Sequence, residues 1–283
     1  MPLGDRFAIL AEGAEMIAEN VVTLAEDIED LGEKRRDRAA AALRVFAEEE
    51  AAKVLIILDL ARAGWSDQGA TKNALASFYS HLSRGLYVQA HGGSPADVAE
   101  VRRYVDIWRR EFYLDGPMDV DWIFGNEVIT GREERLYVDY VEDENGDRRW
   151  VGPKQRSETL DGAFSYPDPP SVVVQLVANM RRIGLLTVAG LEATRQAFDG
   201  VLIRDSTHWQ DLRPLNIKVI EKLGESGRIT ADEMEAVRYV VEHWIFPLTS
   251  LDLTLEKVEP ADLQRVRDHW LARELGIDDE LGY

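Results

Sequence analysis

The sequence predicts an all-α fold, a helical bundle carrying one small inserted β-hairpin. Apolar residues recur at helical spacing through most of the 283 residues. Only the stretch Leu136-Tyr-Val-Asp-Tyr-Val141 alternates with a period of two, and the hairpin turn signal Asn145-Gly146 follows it.

The opening segment reads as one long helix. Leu10, Ala14, Ile17, Val21, Leu24, Ile28 and Leu31 form an apolar seam with acidic residues between them, and Gly32 stops it. Such a seam packs along a neighbouring antiparallel helix or along a second copy of the chain. A second helix is expected from about Lys34 to Ala63, ended by Gly64. One of its stripes is Leu43, Ala47, Ala51, Val54, Leu58 and Ala61. The other is Leu43, Phe46, Ile57 and Leu60, interrupted by Glu50 and Lys53. A helix apolar on two faces is a central one.

A third helix is expected over roughly Thr71 to Ala90, and a fourth from the Gly92-Gly93-Ser94-Pro95 turn to about Phe112. Residues 113–170 change character: a strand at 136–141, a return strand at Arg148 to Val151, then the prolines 167, 169 and 170 of a linker or ordered loop. Helical pattern returns from Ser171 to Tyr283. There Thr230-Ala-Asp-Glu233 is a capping box for a helix with Met234, Val237, Val241 and Trp244 on one face, closed by Pro247. The expected division is residues 1–112 as the N-terminal part of the bundle, 113–170 as the hairpin and proline-rich loop, and 171–283 as C-terminal helices completing or extending the bundle.

Composition narrows the function. There is no cysteine, which removes disulfides, thiolate metal sites and cysteine nucleophiles. Five scattered histidines give no local metal-ligand spacing, and Asp139, Glu142, Asp143, Glu144 and Asp147 read as a solvated turn; no metal and no cofactor is expected. The N-terminus lacks the make-up of a signal peptide and no apolar run approaches a membrane span, so a cytoplasmic protein without membrane contact is expected. A net charge of −19 opposes indiscriminate nucleic-acid binding. A local cluster of the 26 arginines remains able to form a basic cleft.

Two clusters stand out. Glu49 and Glu50 lie one helical turn before Lys53, so either carboxylate reaches the ammonium. The readings are a buried structural pair, a functional polar cluster or a surface ion pair. On the third helix His81 and Arg84 are one turn apart. They meet Glu50 and Lys53 if the second and third helices are antiparallel neighbours; otherwise His81 is a satisfied, partly buried residue.

The run Ala39-Ala-Ala-Ala-Leu-Arg-Val-Phe-Ala-Glu-Glu-Glu-Ala-Ala-Lys53 resembles the signature helix of AbiV-type abortive-infection proteins. Phe78-Tyr-Ser-His81-Leu-Ser-Arg84 is similar to the aromatic, histidine and basic motif that follows it in that family. Arg135-Leu-Tyr-Val-Asp-Tyr140, with Trp150 and Pro153, resembles a later family segment. The three blocks span about residues 5 to 155. The resemblance implies a HEPN-like bundle, often a homodimer. It also implies a metal-independent ribonuclease chemistry in which an arginine precedes a histidine by a few residues. There the histidine moves a proton at the ribose 2′-hydroxyl or the leaving oxygen, and the arginine stabilises phosphate charge. Arg84 with His91 and Arg238 with His243 fit the spacing. Arg238 and His243 lie inside a capped helix and are the favoured pair.

The expectation is therefore an antiphage effector, quiet until a phage-encoded protein triggers it, that targets RNA and arrests growth or translation. Arg238 and His243 would carry the chemistry, supported by Glu50, Lys53 and His81, with Glu49 and Arg84 in binding roles. The alternative is a non-catalytic protein-binding module that blocks translation or phage development by contact.

Overall fold

The computed structural model describes residues 2–64, 68–113, 123–142, 148–153, 171–225, 227 and 229–274. Helix α1, Leu3–Glu33, buries Phe7, Ala11, Ala14, Ala18 and Val21 on one side. Leu10, Ile17, Leu24 and Ile28 pack beside them. The partner of this seam is α2, Asp37–Ala63, from the same chain. Only Lys34 to Arg36 separate the two helices, so they run antiparallel. The turn is a Schellman motif: Arg36 N–H donates to Leu31 O at 2.9 Å and Arg35 N–H to Gly32 O at 3.0 Å. It needs a left-handed residue, and Arg35 occupies that position with φ 53°.

Helix α2 is central. From Ala51 to Arg62 every residue except Lys53 is buried, and the helix touches α1 and five others described below. Gly64, at φ 67°, lets the chain leave it in a conformation that side chains disfavour. Two expectations for this helix need correcting. Phe46 points outward and is 44% exposed. Glu50 and Lys53 do pair, but at the margin of the packed face with side chains about one-fifth exposed. The α1 seam covers one flank of α2 at that level, leaving the ion pair its solvent.

The expected third helix is two helices, α3 (Gln68–Tyr79) and α4 (His81–Gly92). Ser80 breaks the run by leaving helical dihedrals, and its hydroxyl caps α4 by accepting from Ser83 N–H at 3.2 Å. Helix α5, Val98–Trp108, is capped by Asp97 and stops short of Phe112, because Glu111 enters a strand. Two short antiparallel strand pairs follow: β1 (Glu111–Tyr113) with β2 (Ile123–Asn126), and β3 (Asp139–Glu142) with β4 (Arg148–Val151). The Asn145-Gly146 turn, the acidic residues 143, 144 and 147 and the prolines 167, 169 and 170 lie outside the described residues. Between the strand pairs stands α6, Glu127–Leu136, which the sequence reading missed.

The C-terminal helices are α7 (Val172–Arg182), α8 (Val188–Phe198), α9 (Trp209–Glu225), α10 (Met234–His243) and α11 (Pro260–Glu274). Both α7 and α8 pack on α1 and α2, α9 packs on α8, and α10 packs on α7 and α9. The Thr230–Glu233 capping box forms, on a short 3-10 turn ahead of α10. Helix α10 ends at His243 rather than at Pro247, and Trp244, Ile245, Phe246 and Leu248 run on as buried residues of the core. Among the described residues, no helix is long and apolar enough to cross a membrane.

A charged network is sealed inside this core. Arg62, 5% exposed, donates to Ile245 O at 2.7 Å and Asn216 Oδ1 at 3.0 Å, pairs with Asp59 at 3.3 Å and lies 3.7 Å from the Trp244 ring. Asp59 also accepts from Tyr87 Oη at 3.0 Å and Leu248 N–H at 2.8 Å. Burial pushes the Asp59 carboxyl up to about 6 against the pull of Arg62, and pushes Arg62 down to about 10.

Candidate functional site

Three helices of the bundle meet at Glu49. On α2, Glu49 is 7% exposed; an unpaired carboxylate there would cost several kcal/mol. It is met from α4 by His81 and Arg84 and from α6 by Arg132. The Arg132 Nε donates to Glu49 Oε1 at 2.7 Å, Arg84 Nη1 lies 3.4 Å from Oε2, and His81 Nδ1 lies 3.0 and 2.8 Å from the two oxygens. A further Arg84 nitrogen, Nη2, is 3.1 Å from that same His81 Nδ1.

These distances place a proton on Nδ1 of the histidine. Were Nδ1 an acceptor for Arg84, its lone pair would face two carboxylate oxygens within 3 Å. Carrying the proton, Nδ1 donates to Glu49 and simply touches the guanidinium. Nε2 then has no partner among the described residues, on a ring whose side chain is 53% exposed. The cluster thus holds an oriented, half-exposed imidazole and two guanidinium groups on one buried carboxylate. A buried anion orienting a histidine from behind is a recurrent arrangement for a proton-transfer group. Glu49 supplies one negative charge against two arginines, so the cluster is locally cationic in a chain of net charge −19.

Two local devices position the third helix. Asn126, 2% exposed, caps α6 by accepting from Val128 and Ile129 N–H. Its amide donates to Trp108 O at 2.6 Å and Arg110 O at 3.0 Å, pinning α6 to the end of α5. Gly85 on α4 lets α6 come close: a Cβ there would lie 2.2 Å from Val128 Cγ1. Arg132 follows one turn after Val128 and so arrives at Glu49.

The sequence-selected residues are therefore divided. Glu49, His81 and Arg84 meet. Glu50 and Lys53 form their own pair, with Lys53 Nζ 5.7 Å from the Phe78 ring centroid. Among the described contacts His81 bonds Glu49, not the neighbouring Glu50. Arg238 and His243 lie on α10, which packs on α7 and α9. His243 Nδ1 donates to Tyr239 O at 2.9 Å and its ring stacks on Tyr239 at 4.0 Å, while Arg238 is exposed. His91 is 2% exposed and donates to Tyr87 O at 2.9 Å; burial drives it down to about 4, so it is a neutral core residue.

Arg132 escaped the sequence reading because it sits in a helix of only ten residues with no buried member. Asn126-Glu127 before Val128-Ile129 was the available signal, a capping residue ahead of apolar positions.

The HEPN-type family described as AbiV matches residues 9–161, more than half of the chain and inclusive of Glu49, His81, Arg84 and Arg132. No curated protein and no solved structure matches. The chain belongs to the AbiV family, HEPN-type proteins of abortive infection.

Proposed function

We propose that the chain is an antiphage effector that cleaves RNA without a metal ion, and that the reactive group is His81. The observation that carries this reading is the Glu49–His81 contact, which holds the half-exposed ring by Nδ1, leaves Nε2 without a partner among the described residues, and shares its carboxylate with Arg84 and Arg132. In the reaction Nε2 takes the proton of a ribose 2′-hydroxyl. The 2′-oxygen bonds the adjacent phosphorus, the P–O5′ bond breaks, and the 5′-oxygen leaves with a proton from the imidazolium or from water. Arg84 and Arg132 offset the charge that gathers on the phosphoryl oxygens.

Arg238 and His243 form the second candidate pair. The Tyr239 carbonyl fixes the His243 tautomer in the same sense. Among the described contacts neither a carboxylate nor a second arginine meets His243, and the pair falls outside the family match. The reading retains a phage-encoded protein as trigger and a homodimer as the working assembly. Contact inhibition of a phage or host protein is the competing function, favoured by the net charge of −19.

The test is induced expression of wild type, His81→Ala and His243→Ala, following growth, RNA integrity and phage yield. RNA cut by wild type and spared only by His81→Ala supports the reading. RNA spared only by His243→Ala moves the chemistry to α10. Growth arrest with intact RNA in all three assigns the function to protein contact.

A further inference from the structure

The α1–α2 turn and the C-terminal end of α6 enclose a cleft of about 450 Å³. Its charged lining is Arg35, Arg36, Arg38 and Arg135, against the single carboxylate of Asp37. All four arginines are exposed, and none forms an ion pair with a described carboxylate; Glu48 acts on Arg135 only at longer range. Several other arginines of this acidic chain are neutralised: Arg102 by Asp205, Arg109 and Arg110 by Glu256, Arg181 by Glu15. Four guanidinium groups without an ion pair among the described residues, in a chain of net charge −19, make a local sink for anions.

The backbone points the same way. Among the described residues Arg35 is the one non-glycine with positive φ, at a helix terminus where glycine is the favoured residue. The chain holds a charged side chain at the cleft where a glycine would relieve the backbone.

Along the two helices that wall it, the cleft is close to the Glu49 cluster. Arg135 stands one turn beyond Arg132 on α6. Ala42, in the cleft wall, precedes Glu49 by two turns of α2, about 10 Å. On the other side, Leu136 of the cleft wall leads directly into exposed aromatic rings. Tyr137 is 53%, Tyr140 55% and Trp150 72% exposed. Tyr140 and Trp150 are cross-strand partners with ring centroids 5.0 Å apart. Open arginines beside exposed aromatic faces suit a flexible phosphodiester chain with unpaired bases, and neither a duplex nor a carboxylate-rich polypeptide uses both.

Resting on the RNA-directed reading above, we propose that this cleft binds single-stranded RNA, its arginines on the phosphates and Tyr137, Tyr140 and Trp150 on the bases, feeding the strand toward His81.

The experiment is fluorescence anisotropy of a labelled single-stranded RNA about a dozen nucleotides long, titrated with full-length protein at several salt concentrations. Arg38→Glu and Arg135→Glu should each weaken binding and flatten the dependence of log K on log salt by about 0.7 for each phosphate no longer neutralised. Trp150→Ala should weaken it roughly tenfold. Arg35→Gly is the folding control: it should melt at a higher temperature than wild type while binding RNA less tightly. Unchanged affinity and salt slope in the arginine variants overturns the proposal. So does equal affinity for a duplex, or arginine-dependent binding of labelled polyglutamate as tight as that of RNA. Cleavage of the same oligonucleotide is read in parallel. Arginine-dependent binding without cleavage by any protein keeps the cleft and removes the nuclease reading. Cleavage with arginine-independent binding does the reverse.

Discussion

Glu49 and His81, thirty-two residues apart in sequence, meet with Nδ1 of the imidazole 2.8 Å from a carboxylate oxygen that is itself almost sealed from water. The carboxylate orients the ring and at the same time answers Arg84 and Arg132. Glu49→Gln keeps the shape but removes the charge, so it should act twice. RNA cleavage should fall by about 10²- to 10⁴-fold, expressed in kcat more than in KM. Stability should also fall by a few kcal/mol, because two arginines lose their counter-charge. His81→Gln should lose the activity with little change in stability, since that ring is half exposed. Equal stability losses in both variants, with cleavage intact, would leave the cluster a purely structural one.

Arg132 reaches Glu49 only because α4 and α6 touch at Gly85 and Val128. Gly85→Ala places a methyl 2.2 Å from Val128 Cγ1, closer than any relaxed packing allows. Helix α6 must then shift, at a cost of about 1–3 kcal/mol, and carry Arg132 away. Trimming the partner in the double variant Gly85→Ala/Val128→Ala should recover part of both stability and cleavage. Chemical denaturation of the four proteins gives the coupling energy directly; additive effects would mean that the two helices do not meet there.

How much of this was legible in advance follows from the range of each signal. The α1 seam, the centrality of α2 and the Gly64 stop are written in local periodicity, and the structure carries all three. Ser80 inside an apparently continuous helical pattern was not, because one capping serine looks like any exposed polar position until its dihedrals are seen. At the site, the doubled glutamates and the His81–Arg84 spacing were visible. Which glutamate turns inward depends on the rotation of α2 against α4, and one residue of rotation, about 100°, separates buried Glu49 from Glu50. Arg132 with Glu49, and Arg62 with Asn216, join residues from distant segments, and no local pattern marks such a pairing, although Asp59 and Arg62 themselves lie one turn apart on α2.

That second network makes its own prediction. Arg62 is bonded to three main-chain or amide oxygens and to Asp59, all inside the core. Arg62→Ala leaves Asp59 buried without its cation and should cost about 3–5 kcal/mol. Replacing both, as Asp59→Asn/Arg62→Met, should cost less than the single change, because no charge is stranded. Thermal melts of the two variants decide it. A double variant less stable than Arg62→Ala would show that the ion pair is itself the stabilising element.

His91 adds a pH dependence whose sign can be worked out. It is buried and held down to about 4, with Arg62 the charged neighbour and the Tyr87 carbonyl its hydrogen-bond partner. The unfolded chain protonates it near the ordinary value of about 6.5. Between those two values the unfolded state binds the proton and the folded state does not. The contribution is therefore intact above about pH 6.5 and is lost as pH falls toward about 4. Asp59, held up to about 6, works in the opposite sense over an overlapping window: it binds its proton more readily folded, and stability is lost as pH rises toward that value. In wild type the two slopes partly cancel. His91→Leu removes one of them, so its stability should hold or rise on acidification from pH 6.5 to 4.5 relative to wild type. The stability difference between the two proteins should shift by about 2–3 kcal/mol in favour of His91→Leu, at 1.36 kcal/mol per pH unit. Urea denaturation at the two pH values measures it, and parallel behaviour of the two proteins would mean that His91 titrates alike folded and unfolded.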